Sequence, residues 1–175
     1  DILKIAKNRN EVKKAVKSKS VLLNGKEIFE EKGLVCLFDS ISIPSLKKHY
    51  KLILSEKRKF MLQEVGENES LKKVYKVIDK KMIKGKKIQI NLMDGRNVLS
   101  TIKVKVNDSI VFSFKENKIE KILPLKENAK VMIFAGKHSG ENGTVVKIDH
   151  EKKLAEVTLE GKETKVLIKQ LIVVE

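Results

Sequence analysis

The chain has 175 residues, with 38 Lys and Arg against 23 Asp and Glu, a net charge of +15 and a pI near 9.7. That length holds one ordinary domain or two or three small ones, and the cationic excess selects a polyanionic partner, nucleic acid before an acidic membrane surface. One cysteine, Cys36, excludes a disulfide framework or a zinc cluster; His49, His138 and His150 lack metal-site spacing, and no apolar run approaches the ~18 residues that span a bilayer.

No secretory signal is visible, although the chain opens on Asp1 rather than methionine, so a soluble, cytoplasmic protein is expected. Cys36, inside the run Gly33–Phe38, reads as a small buried hydrophobe. Only Arg9, Arg58 and Arg96 are arginines. Lysine is a hydrated point charge without arginine's bidentate fork, so contact with phosphates is expected more than base-specific readout. The aromatics, six Phe and two Tyr with no Trp, fall mostly at core-like positions, which argues against recognition by base stacking.

Pro44 and Pro124 divide the chain into three pieces, because proline disfavours helix at its own position and the one before. Residues 1–43 begin with a helical pattern, Ile2, Ile5 and Ala6. Asn10 is a plausible N-cap for the next helix, with Glu11 at its positive end, Val12, Ala15 and Val16 as an apolar stripe, and Lys13, Lys14 and Lys17 opposite. Ser20–Leu23 reads as a strand, Asn24-Gly25 as a hairpin turn, Lys26–Phe29 as the return, and Gly33–Phe38 as a third strand. Within residues 1–26 there are eight basic residues and two acidic ones, so the charge gathers on the helix and hairpin tip.

Residues 44–124 carry twenty basic and nine acidic side chains, most of the field. Tyr50/Leu52/Leu54 alternate, then Phe60/Leu62/Val65 across the charged turn Ser55–Lys59. Val74–Ile78, Ile88/Ile90/Leu92, Val98–Val106, Ile110–Phe114 and Ile119–Leu123 follow. Short strands at this spacing predict a small barrel or folded sheet. The run Lys80-Lys81-Met82-Ile83-Lys84-Gly85-Lys86-Lys87 packs five lysines around a glycine, and Asp94-Gly95 marks a turn leading to Arg96 and Asn97.

In residues 125–175 the alternating pairs Val131/Ile133 and Val145/Ile148 flank a loop with glycines at 136, 140 and 143, and a tight glycine loop would present Lys137, His138 and Ser139 outward. Ala155/Val157/Leu159 alternate with Leu154/Glu156/Thr158, Glu160-Gly161-Lys162 turns, and Val166–Val174 supplies the last strands. With nine basic and eight acidic residues this piece is near neutral. Contact through its glycine loop would therefore depend on shape, whether with RNA or with protein.

Three sets of residues resemble known families. K-V-M-I-F-A-G-K-H-S-G-E-N-G-T-V-V-K-I at 130–148 resembles the KOW motif that opens a small RNA-associated barrel. The basic helix followed by V-L-L-N-G-K-E-I resembles the C-terminal part of the RNA-binding module named after bacterial ribosomal protein S4, though the usual preceding helix is incomplete. K-I-Q-I-N-L-M-D-G-R-N at 87–97 is similar to the central-domain signature of the S4e family of archaeal and eukaryotic small-subunit ribosomal proteins, whose order of parts also matches.

The resemblance implies an α+β, mostly β protein: a partial S4-type helix–hairpin module over 1–43, a central β-barrel-like domain over 44–124, and an SH3-like KOW barrel over 125–175. It implies a structural component of the small ribosomal subunit, bound to ribosomal RNA and neighbouring ribosomal proteins, monomeric outside the ribosome, with no membrane partner, cofactor or metal. The implied RNA contacts are Arg9, Lys13, Lys14, Lys17, Lys19, Asn24 and Lys26; Lys80, Lys81, Lys84, Lys86, Lys87, Arg96 and Asn97; and Lys137 and His138. Two other readings exist. A KOW-type transcription or translation factor would not need the D-G-R-N segment. A pseudouridine synthase can carry the same N-terminal module and Asp94 beside Arg96 invites the comparison, but no second catalytic group and no nucleophile–base pair accompanies Asp94. No enzymatic activity is expected.

Overall fold

A computed structural model describes residue 6, residues 8–83 and residues 87–174. Among these there are two α-helices and fifteen short strands arranged in three antiparallel sheets of five. The chain forms two compact units. The first comprises the residues up to Ser55 with Lys59–Lys73 and Ser113–Lys118; the second comprises Glu56–Arg58, Val74–Phe112 and the residues from Ile119 on.

In the first unit, α1 (Arg9–Lys17) starts two residues earlier than Asn10 as N-cap would allow. Asn8 is the N-cap, its side chain accepting from the Glu11 N–H at 3.0 Å. Asn8 and Glu11 thus stand at the N-cap and N3 positions, the spacing of a capping box, and the Glu11 charge faces the positive helix end. The Ile2/Ile5 pattern lies outside the described residues. β1 (Leu22–Leu23) and β2 (Lys26–Glu27) close over Asn24-Gly25 with φ of 53° and 74°, the left-handed pair that a two-residue hairpin requires.

The third strand is not Gly33–Phe38. β3 is Ser40–Ile43, and β4 (Lys48–Leu54) and β5 (Phe60–Val65) complete the sheet in the order β2-β1-β3-β4-β5. Apolar composition suggested a strand at 33–38, but Leu34 and Val35 are exposed, Cys36 is only half-buried, and Phe38 has φ of 64°. Pro44 opens a single 3-10 turn (Pro44–Leu46) joining β3 to β4, so it bends one sheet and does not separate two.

What fixes this loop is a buried polar node. The Asp39 carboxylate accepts from the Asn24 side-chain amide at 2.8 Å, the Cys36 N–H at 2.6 Å and the Lys73 ammonium at 2.6 Å. Asn24 in turn accepts from the Ser40 N–H at 3.0 Å. All of these side chains but Cys36 are buried, so the charge pair is kept only because its hydrogen-bonding capacity is met.

After α2 (Glu67–Ser70), β6 (Lys72–Ile83) runs into the second unit, where its sheet has the order β10-β9-β6-β7-β8. Here β7 is Lys87–Leu92, β8 Asn97–Ser100, β9 Ser109–Ser113 and β10 Lys118–Leu123. The expected strand over 98–106 ends at Ser100, and Asn107 turns the chain with φ of 75°. The C-terminal sheet, β14-β13-β12-β11-β15, uses β11 (Lys130–Ile133), β12 (Asn142–Asp149), β13 (Leu154–Leu159), β14 (Lys162–Leu167) and β15 (Leu171–Val173).

Val131, Ile133, Val145, Ala155, Val157, Leu159, Val166 and Leu171 form its core, with Val111 and Leu123 in the same cluster. The alternation read along β13 is therefore the alternation that packs. Into this interior β6 sends Lys76, whose ammonium donates to the Ile168 and Leu171 carbonyls and lies 5.9 Å from the Phe134 ring centroid. Burial lowers its pKa to about 8.

Candidate nucleic-acid interface

Each unit carries its own cationic surface. In the first, α1 exposes Lys13, Lys14 and Lys17, and β2 exposes Lys26. None of the four has an ion-pair partner among the described residues, so their charges are open to a polyanion. Arg9 and Lys19 are exposed but paired, Arg9 to Glu31 at 2.8 Å and Lys19 to Glu27 at 2.7 Å. Asn24, expected at the surface, is only 2% exposed and spends its amide on Asp39 and Ser40. It shapes the hairpin tip from inside and does not belong to the contact surface.

In the second unit the informative element is the ribbon of β6, β7 and β8. Lys81 pairs with Gln89, Ile83 with Lys87 and Asp79 with Asn91; on the other side Asn91 pairs with Asn97 and Gln89 with Leu99. Because directly paired residues share a face, Lys81, Lys87, Gln89, Asn91 and Asn97 stand together on one face, with Asp79 and Leu99 at its margins. The opposite face carries Ile88, Ile90 and Leu92. Lys80 and Met82 are on that side, and the Lys80 ammonium donates to the Val104 carbonyl at 2.9 Å.

The lysine run is thus two groups. Lys81 and Lys87 flank a row of amides, Lys80 supports the fold, and Lys84 and Lys86 lie outside the described residues. Gln89 donates to the Asn91 side-chain oxygen at 3.0 Å, which orients both amides across the face. Sequence reading passed over these two residues, although the pattern Ile-Gln-Ile-Asn-Leu puts them on the polar side of a strand. A bulge at Ile78, between the Val77–Leu92 and Asp79–Asn91 pairs, lets Val77 face the core while Asp79 faces water.

The Asp94-Gly95 turn ends this ribbon, with Gly95 at φ of 87°. Asp94 accepts from the Arg96 N–H at 3.1 Å and lies 3.4 Å from its guanidinium. The carboxylate therefore closes the turn and orients an exposed arginine. Among the described residues no cluster of three His, Cys, Asp or Glu side chains could hold a metal. No helix there is long and apolar enough to cross a membrane.

The C-terminal glycine loop spans β11 to β12. Gly136 and Gly140 take φ of 89° and 95°, as the loop requires. Gly143 lies in β12, and its role is packing: a Cβ there would sit 2.5 Å from the Thr158 carbonyl oxygen. Lys137 is exposed, and its carbonyl accepts from the Arg58 guanidinium at 2.6 Å. His138 is half-buried with Nδ1 3.1 Å from the Glu141 carboxylate. Lys137 offers a cation outward, while His138 is committed to its neighbour. Arg58 escaped the sequence reading because a charged turn gives no sign of what it touches.

Residues 46–119 match the model of ribosomal family S4e. The small ribosomal subunit protein eS4 of Methanocella arvoryzae is 35% identical over 148 residues, covering 85% of this chain and 62% of that protein. The eS4 protein of Archaeoglobus fulgidus is 34% identical over 165 residues, covering 93% and 69%. The chain therefore spans about two thirds of the length of these curated relatives. The crystal structure of the 30S ribosomal protein S4e from Thermoplasma acidophilum has the same fold, with a TM-score of 0.84 over 98% of this chain and 88% of that one at 24% identity.

Proposed function

The chain belongs to ribosomal family S4e, and on that premise we propose that it is a structural component of the small ribosomal subunit, which binds ribosomal RNA and supports translation. The observation that carries this reading is the β6–β8 face, where Lys81 and Lys87 flank the amides of Gln89, Asn91 and Asn97. Point charges neutralise phosphates, and neutral amides both donate to and accept from 2′-hydroxyls in the wide, shallow minor groove of an RNA helix. Lys13, Lys14, Lys17 and Lys26 add a second phosphate-contacting surface, and Arg96 and Lys137 are further contacts. Neighbouring ribosomal proteins are the other partners, the location is the ribosome, and the protein works by binding without catalysing a reaction.

The test is binding of the chain to purified small-subunit ribosomal RNA across a salt series. Affinity is expected to fall with a log–log slope of about −0.7 to −0.9 for each phosphate contacted. Absence of binding at low ionic strength, or binding indifferent to salt, overturns the proposal.

A further inference from the structure

Phe29 stands 79% exposed beside a groove of about 370 Å³ that runs between α1 and residues 29–32. The groove is lined by Lys13, Val16 and Lys17 from the helix and by Phe29, Glu30, Glu31 and Lys32 opposite. Large aromatics are normally buried, and the run Lys26–Phe29 places this one in a returning strand when read from sequence. β2 instead ends at Glu27, and the ring is left facing water.

Resting on the RNA-binding reading above, we propose that this groove holds one unpaired RNA base, stacked on the Phe29 ring, with Lys13, Lys17 and Lys32 contacting the phosphates on either side. Any base offers a π-face, so an aromatic ring with cations nearby holds a nucleotide with little regard to sequence. Single-stranded bulges and loops in folded RNA supply bases already free of their helix.

The charge at the groove favours this occupant. Glu31 is engaged by the Arg9 guanidinium at 2.8 Å, which leaves Glu30 facing three lysines that have no ion-pair partner among the described residues. The lining argues against a protein segment: only Val16 and Phe29 are apolar, too few to bury an amphipathic helix face. The volume lies near the lower end of the ~300–1,000 Å³ typical of small-molecule sites. Stacking is thus placed at one exposed ring, where composition alone argued against it.

The experiment uses the whole chain and purified small-subunit ribosomal RNA, comparing wild type with Phe29→Ala, Phe29→Tyr and the pair Lys13→Ala/Lys17→Ala. Phe29→Ala is expected to weaken binding about 5- to 150-fold with the salt slope unchanged. Phe29→Tyr retains affinity, and the lysine pair lowers the slope. Photocrosslinking with 4-thiouridine-substituted RNA should join Phe29 to an unpaired nucleotide. Wild-type affinity in a folded Phe29→Ala protein overturns the inference and leaves the broader reading intact. So does a variant that loses a neighbouring ribosomal protein but keeps its RNA. Failure of the wild type itself to bind overturns both.

Discussion

The Lys76 ammonium donates to the Leu171 carbonyl at 2.6 Å, tying the middle of β6 to the start of β15. The same nitrogen also reaches the Ile168 carbonyl at the 3-10 turn before that strand. Two backbone carbonyls, 92 and 95 residues away in sequence, are thus bonded by one side chain. A cation in an apolar interior normally costs stability, and here two of its three donors meet backbone carbonyls.

The lowered pKa gives that bond a pH signature. Lys76 titrates near pH 8 when folded and near 10.5 otherwise, so between those values the unfolded chain binds more protons. Stability from this group therefore rises as pH increases from 8 to 10.5, by at most roughly 1.4 kcal/mol per unit. Urea denaturation of wild type and Lys76→Met at pH 8 and pH 10 should show wild type gaining stability relative to the variant at the higher pH. A constant gap would refute the assignment.

The Asp39 node should behave as a unit. Lys73→Met leaves a buried carboxylate without its cation and is expected to cost about 3–5 kcal/mol. Adding Asp39→Asn removes the unpaired charge, so the double variant should lose clearly less than the two single losses added together. Asn24→Ala should cost about 2–4 kcal/mol, because it removes hydrogen bonds to Asp39 and Ser40 and places alanine at φ of 53°. Lys26→Ala, three positions on in the numbering from Leu23 and exposed, should change stability by less than ~0.5 kcal/mol. Equilibrium unfolding of wild type and these five variants decides the matter.

Two glycines separate packing from backbone conformation. Gly143→Ala drives a methyl group to within 2.7 Å of Val157 and Leu159 side chains and should part β12 from β13, costing about 1–3 kcal/mol or more. Gly161→Ala meets open space and pays only for φ of 82°, about 1–2 kcal/mol. Amide exchange should quicken along β13 in the first variant and stay near wild type there in the second.

The lysine ribbon yields a sharp discrimination. Lys81→Ala and Lys87→Ala should each reduce the magnitude of the salt slope for RNA binding by about 0.7–0.9, one contact apiece. Lys80→Ala should leave that slope unchanged, since its ammonium serves Val104, while lowering the melting temperature. Equal slopes for Lys80→Ala and Lys81→Ala would mean that the face has been drawn wrongly.

Much of the C-terminal piece was legible. Val131, Ile133, Ala155, Val157 and Leu159 alternate because each strand has one face in a core, and Asn24-Gly25 and Glu160-Gly161 announce their turns by the φ they must adopt. Asn24, Asp39 and Lys73 were not legible as a set: polar residues far apart in sequence look like surface until folding brings them together. Gly33–Phe38 misled because apolar content says nothing of φ, and Phe38 is left-handed. Phe29 misled in the opposite direction, its hydrophobicity suggesting an interior that the short β2 never supplies. Lys80 and Lys81 are chemically identical neighbours, and only the register puts them on opposite faces of the ribbon.

The bulge at Ile78 makes the chain's length negotiable at one point. Deleting that residue would join Val77 to Asp79 as ordinary alternating neighbours, and every side chain beyond would keep its orientation. The turn at Asp94-Gly95 has no such slack, because a residue gained or lost there would slide β8 against β7 and part Asn97 from Asn91. Tolerance to insertion and deletion should therefore differ sharply between two sites barely sixteen positions apart.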